Sequence, residues 1–225
     1  VAVEPVSENY WALPLGRPPT EHGYANRSAL SWHLYCPYAP DKAPVEAFTH
    51  LCSFIDAAFF SIMAHNARTV GGGWLLTEFG SLGNSSLDLQ ELRRVVELAD
   101  QALTSRIYWQ YKAYKDLTSS GGYGRLSLYT DGDLQSNKLR TLATPFAQCV
   151  AGSPVFMRFV PETSVFALEY IPAAAPRGLR ATSVIHLAAE LHYRDGFRVF
   201  TNAAMDGLSL SLSEGSILEV EHTSA

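Results

Sequence analysis

Trp74-Leu75-Leu76-Thr77-Glu78-Phe79-Gly80-Ser81 is the stretch on which the fold turns. Gly71, Gly72 and Gly73 lead into it, and the apolar run ends in a carboxylate, an aromatic ring and a glycine. A short apolar run bounded by glycines reads as a buried strand. A buried parallel strand that ends in Glu puts that carboxylate at the mouth of a barrel or open sheet, where α/β enzymes do their chemistry. Read by itself, the octapeptide fits equally well a strand that ends in an ordinary solvated glutamate.

The flanking segments have α/β grammar. Upstream, Val1 to Val6 reads as a strand that starts at the first residue, as if the chain were a piece of something longer. Residues 7–29, rich in Pro, Gly and Asn, read as a long loop. Leu30 to Cys36 is a second strand stopped by Pro37, with Trp32 and Leu34 on one face and His33 and Tyr35 on the other. Pro44 to Ala67 reads as a helix whose stripe is Phe48, Leu51, Cys52, Ile55, Phe59 and Ile62. Downstream, Ser85-Ser86-Leu87-Asp88 offers a helix cap, followed at helical spacing by Leu89, Leu92, Val95, Val96, Ala99 and Leu103. Ile107 to Tyr111 is the next strand, residues 116–123 a Gly- and Ser-containing loop, and Ser136 to Thr144 one more helix. Four strands with two or three helices amount to half of an eight-stranded (β/α)8 TIM barrel.

The period changes near residue 149. Val155 to Val160, Val165 to Ile171, Val184 to Leu187, Phe197 to Thr201, Leu208 to Leu212 and Ile217 to Val220 are short strand candidates separated by turns. Short strands without helices predict a small antiparallel β-sandwich. The expected organisation is α/β plus all-β: residues 1–148 as the C-terminal half of a TIM barrel (strands five to eight), and 149–225 as the sandwich.

Composition sets limits on partners. The 225 residues carry 47% hydrophobic and 17% charged side chains, which predicts a filled core. A net charge of −5 gives no footprint for nucleic acid or anionic lipid. The apolar stretch Phe54 to Ala64 is interrupted by Asp56 and is too short to span a bilayer. Cys36, Cys52 and Cys149 have no metal-ligand spacing, and no metal or cofactor is expected. Cys36 and Cys52 flank the turn between the second strand and its helix, which fits a secreted protein with one disulfide and Cys149 unpaired. Asn26-Arg27-Ser28 and Asn84-Ser85-Ser86 are glycosylation sequons. His50, His65, His186, His192 and His222 are scattered without ligand spacing.

The ends of the four α/β strands carry Glu4, His33 with Tyr35, Glu78, and Trp109. Parallel neighbours in a barrel bring such side chains to one face. A glutamate attacks an anomeric carbon to form a glycosyl-enzyme. A tyrosine hydroxyl holds such a carboxylate ionised and oriented. A tryptophan gives a flat platform for a pyranose. Val3-Glu4-Pro5-Val6, Tyr24-Ala25-Asn26-Arg27-Ser28, Ser31-Trp32-His33-Leu34-Tyr35-Cys36, Leu76-Thr77-Glu78-Phe79-Gly80 and Tyr108-Trp109-Gln110-Tyr111-Lys112 follow in an order that resembles the endoglycoceramidases. These belong to glycoside hydrolase family five, in clan A of the retaining glycosidases. Ala151-Gly152-Ser153-Pro154 and Leu191-His192-Tyr193-Arg194-Asp195-Gly196 are similar to that family's C-terminal sandwich.

The resemblance implies Glu78 as nucleophile at the end of barrel strand seven. It implies His33 and Tyr35 on strand six, with Tyr35 near the nucleophile. Trp109 would floor the subsite at the scissile bond, and Glu4 and Lys112 would line the substrate cleft. The implied reaction is retaining hydrolysis of the bond between oligosaccharide and ceramide in a glycosphingolipid, with transient membrane-surface contact. The implied location is extracellular or a secretory or lysosomal lumen. Clan A places its acid/base glutamate in an Asn-Glu-Pro motif after strand four, and this sequence has none. Glu4-Pro5 follows Val3, and its spacing to His33 fits strand five. The acid/base and strands one to four are therefore expected outside this chain, which would be inactive without them. The residues also fit two other readings: a non-catalytic glycan- or lipid-binding remnant, and another clan A β-glycosidase such as a glucosylceramidase or β-glucanase. The plainer alternatives are that His33 and Trp109 fill core and that Lys112 is a solvated edge.

Overall fold

The computed structural model describes residues 2–3, 27–36, 46–70, 72–112, 126–174, 180–202 and 207–222. They divide into two compact units, Val1–Leu142 and Ala143–Ala225.

The first unit is built on one parallel sheet. Its strands are β1 (Ala2–Val3), β2 (Ala29–Leu34), β3 (Gly73–Gly80) and β4 (Ser105–Trp109), paired in that order. Helix α1 (Glu46–Val70) connects β2 to β3, and α2 (Ser86–Gln101) connects β3 to β4. Neighbouring strands in sequence order, with a helix between β2 and β3 and another between β3 and β4, are what successive βα units of a barrel produce, whereas a doubly wound sheet reverses its order. The sheet is open, with β1 and β4 at its edges. A short hairpin, β5 (Tyr129–Thr130) with β6 (Asp133–Leu134), precedes helix α3 (Ser136–Leu142).

The core lies between the sheet and its helices. Leu30, Trp32 and Leu34 of β2 and Leu76 and Phe79 of β3 meet Phe60, Met63 and Ala67 of α1 and Leu92, Val95, Val96 and Ala99 of α2. Trp32 packs edge-on to Phe60 at 4.9 Å and stacks with Trp74 at 6.2 Å. Helix α2 starts where the sequence predicts. Ser85 caps it, its hydroxyl accepting from the Asp88 N–H while the Asp88 carboxylate accepts from the Ser85 N–H.

Helix α1 is rotated relative to the expected stripe. Its buried face runs through Cys52, Asp56, Phe60, Met63, Asn66 and Ala67, while Leu51 and Ile62 are exposed. Apolar side chains surround this helix on most sides, so periodicity alone does not select a face. The seat of Cys52 and Asp56 selects it.

In the second unit, β7 (Phe146–Cys149), β10 (Ala181–His186), β12 (Ile217–His222) and β11 (Leu208–Ser213) form an antiparallel sheet in the order β11-β12-β10-β7. Strands β8 (Gly152–Val160) and β9 (Val165–Pro172) form a separate hairpin. Its Phe166 and Leu168 pack on Ile185, Leu187 and Leu218. A single turn, α4 (Ala189–His192), interrupts the strands. Residues 197–201, expected as a strand, have no regular structure. Phe197 packs on Tyr193 at 5.8 Å and Phe200 is 87% exposed, and among the described residues no strand pairs with this segment. Strand β7 has no counterpart among the sequence expectations.

Candidate active site

At the C-terminal end of the parallel sheet three predicted residues meet. The Tyr35 hydroxyl donates to Glu78 Oε2 at 2.9 Å, and His33 Nδ1 lies 3.3 Å from the same oxygen. His33 and Glu78 are half-buried, at 25% and 29% exposure, so the group is anchored in protein yet open to a ligand. Both of these contacts go to the same carboxylate oxygen, Oε2.

The backbone of β3 makes this meeting. Trp32 is the register partner of Leu76, but His33 pairs with Glu78, so Thr77 is an extra residue. The register to β4 skips at the same place, from Leu76↔Arg106 to Phe79↔Tyr108. This is a β-bulge, which bends a strand and re-aims the side chain after it. Strict alternation would send Glu78 to the face of Leu76, against the helices. With the bulge, Leu76 and Phe79 both face the core, and Glu78 joins His33 and Tyr35 on the other face.

Thr77 itself is held in place. Its hydroxyl donates to the Trp32 carbonyl at 3.1 Å and lies 2.8 Å from Ser31 Oγ, which therefore donates to it. Gly80 closes the turn. Its φ is +131°, and a Cβ there would lie 2.5 Å from the Trp109 carbonyl oxygen and 2.6 Å from the Tyr108 ring. Only glycine permits that approach of β3 to β4. Sequence reasoning passed over Ser31, Thr77 and Gly80. The available signal was a polar residue inside an apolar run, immediately before the carboxylate.

The other predicted residues are placed as follows. Trp109 ends β4 opposite Gly80 and is partly exposed. Its carbonyl accepts from the Ser81 N–H at 3.2 Å. Lys112 is exposed and forms a backbone bridge with Tyr129. Glu4 lies outside the described residues.

Behind the site, Cys36 and Cys52, for which the sequence left a disulfide open, are bonded, with Cα atoms 5.6 Å apart. Cys149 is free and exposed. Glu91 of α2, buried, pairs with Arg94, which also lies 3.8 Å from the fully buried Asp56 of α1. Burial first, and then the neighbouring Glu91 carboxylate, push the Asp56 carboxyl up to about 9, against the pull of Arg94. Asp100 of α2 is also raised by burial, opposed by its ion pair with Arg106 of β4.

Residues 145–224 match the glycoside hydrolase family 5 C-terminal domain. An endoglycoceramidase of Cyanea nozakii is 27% identical over 197 residues, covering 87% of this chain and 36% of the relative. One of Hydra vulgaris is 25% identical, covering 88% and 34%. The chain resembles the C-terminal portion of the family 5 endoglycoceramidases. It spans about a third of the length of these curated relatives. Endo-glycoceramidase II from Rhodococcus sp., solved with ganglioside GM3, superposes on the whole chain with a TM-score of 0.69 at 19% identity. The match covers 49% of that chain, and at this identity it speaks for the fold. Sterylglucosidase 1 of Cryptococcus neoformans gives 0.61 at 11% identity over 87% of this chain and 36% of its own. The matches to the endoglycoceramidases cover both units, and the solved enzymes share the fold over about half of their own length or less.

Proposed function

We propose that this chain is the C-terminal portion of a retaining β-glycosidase that cleaves the bond between oligosaccharide and ceramide, with Glu78 as its nucleophile. In this reading the first unit is barrel strands five to eight, and the second is the accompanying β-sandwich. The observation that carries it is the Glu78 carboxylate, held by Tyr35 at 2.9 Å and facing His33 at the C-terminal end of a parallel sheet. Barrel enzymes keep their chemistry at that end. Exposure on the inner face agrees: Ile107 of β4 is 57% exposed, as a barrel-interior side chain is when the facing strands are not beside it.

The chemistry follows from geometry. Tyr35 and His33 fix Oε2, so Oε1 attacks the anomeric carbon and the sugar–oxygen bond to ceramide breaks. The product of this step is a glycosyl ester on Glu78, and water then releases the sugar with net retention. The leaving alkoxide needs a proton from a second carboxyl about 5–5.5 Å from the nucleophile. This sequence contains no Asn-Glu-Pro, so the proton donor is assigned to protein beyond residues 1–225. Trp109, next to the site on β4, floors the subsite for the reacting sugar, and Lys112 and Glu4 are assigned to substrate binding on the sequence resemblance. The glycolipid headgroup reaches the site from a membrane surface in a secreted or luminal setting.

The test is mass spectrometry after exposure to a 2-fluoroglycosyl inactivator. A label on Glu78 in the full-length protein, and none in residues 1–225 alone, is the expected result. A label on another carboxylate ends the assignment, and no label in either protein favours the glycan- or lipid-binding remnant.

A further inference from the structure

We infer that the Cys36–Cys52 disulfide is a positioning element for the nucleophile, acting through Tyr35. This rests on the reading of Glu78 as nucleophile and Tyr35 as its partner. Strand β2 makes its last pair at Leu34, with Phe79. Tyr35 and Cys36 follow directly after that pair, where the strand gives way to the turn toward α1. The residue after Tyr35 is covalently tied to Cys52, which is fully buried in α1. The tie is anchored at its far end. The two sulfurs and a Glu91 carboxylate oxygen lie within 4.8 Å of one another, and Glu91 pairs with Arg94, which reaches across to Asp56 one turn beyond Cys52.

A linked series therefore runs from α2 through α1 and the disulfide to Tyr35 and the Glu78 carboxylate. A hydroxyl that must stay at 2.9 Å from an attacking carboxylate loses much of its effect if its backbone drifts by 1 Å. Opening the disulfide should therefore slow attack while leaving sugar binding largely intact. A dithiol opens it by a two-electron exchange: the S–S bond breaks, both cysteines take up protons as thiols, and the dithiol closes to its own cyclic disulfide.

The experiment compares full-length wild type, Tyr35→Phe, Cys36→Ser with Cys52→Ser, and the triple variant, on a dinitrophenyl β-glycoside whose leaving group needs no proton. Removing the disulfide should lower kcat about 5- to 30-fold with KM changed less than about 3-fold, and less than about 2-fold in the Tyr35→Phe background. Dithiothreitol treatment of folded wild type and Tyr35→Phe gives the same comparison without refolding, with thermal unfolding followed in parallel. Equal losses in both backgrounds, a loss confined to KM, or unfolding on reduction each overturn the positioning role. Labelling by the 2-fluoroglycosyl inactivator separates the two levels. Glu78 labelled with equal losses sinks only the disulfide's role, whereas no label on Glu78 sinks the reading beneath it.

Discussion

Tyr35 and Glu78, 43 residues apart in sequence, are joined by a 2.9 Å hydrogen bond in which the phenol donates to the carboxylate. Each stands at the end of its own parallel strand, and Thr77, the one extra residue of β3, turns Glu78 toward the phenol.

Removing that phenol should cost the hydrogen bond to a charged acceptor, about 1.5–3 kcal/mol. In the full-length enzyme Tyr35→Phe should therefore lower kcat about 10- to 100-fold with KM within about 3-fold. Glu78→Gln should lower kcat by at least ~10³-fold. Steady-state kinetics on an aryl β-glycoside checks both, and a Tyr35→Phe enzyme with unchanged kcat would show that the contact is idle.

Thr77→Val keeps the shape but strips the hydroxyl, leaving the Trp32 carbonyl and the Ser31 hydroxyl without that partner. The expected stability loss is about 1–3 kcal/mol, read as a lower denaturant midpoint. Activity of the folded fraction should fall about 10-fold, because the bulge sets the direction of Glu78. Full activity in a destabilised variant would mean that other contacts aim Glu78.

Gly80→Ala forces a Cβ to within 2.5 Å of the Trp109 carbonyl oxygen at a φ of +131°. Backbone, rather than a flexible side chain, is in the way, so a loss of more than about 3 kcal/mol is expected. The melting temperature and the soluble yield measure it. A variant that melts within about 2 °C of wild type would refute the close approach.

Asp56 carries the pH prediction. Its folded carboxyl titrates at about 9 against an ordinary 3.8, so the fold prefers it protonated. A raised carboxyl contributes stability that is complete below pH 3.8 and is lost as pH climbs toward 9. Asp56→Asn is neutral throughout and lacks that loss. Its melting temperature relative to wild type should rise steadily, by about 8 °C or more, between pH 5 and pH 8. Parallel curves across that range would place the burial cost elsewhere.

Much of this architecture is legible in the chain itself. The glycine-flanked run ending in Glu78 gives β3, Ser85 with Asp88 gives the start of α2, and Leu92, Val95, Val96 and Ala99 give its buried face. These signals are local, as periods and caps act within a few residues. The split of faces in β2 was legible for the same reason. Trp32 and Leu34 went to the core while His33 and Tyr35 went to the site.

Other features depended on what lies across space. The buried face of α1 was settled by the seat of Cys52 and Asp56, because its apolar residues are spread too widely for a period to choose. Residues 197–201 read as a strand but pair with no strand among the described residues, and the ladder hydrogen bonds of a strand form only with a neighbouring strand. Above all, the side on which Glu78 emerges is not a property of residues 74–81. Two-residue alternation would have buried it with Leu76. The bulge at Thr77, held by Ser31 and the Trp32 carbonyl of the adjacent strand, reverses that parity. The sequence by itself determined that a carboxylate ends this strand. Only the packing of β3 against β2 and β4 decided that it faces Tyr35 and His33, because a bulge is a property of strand register, and register exists only once strands are paired.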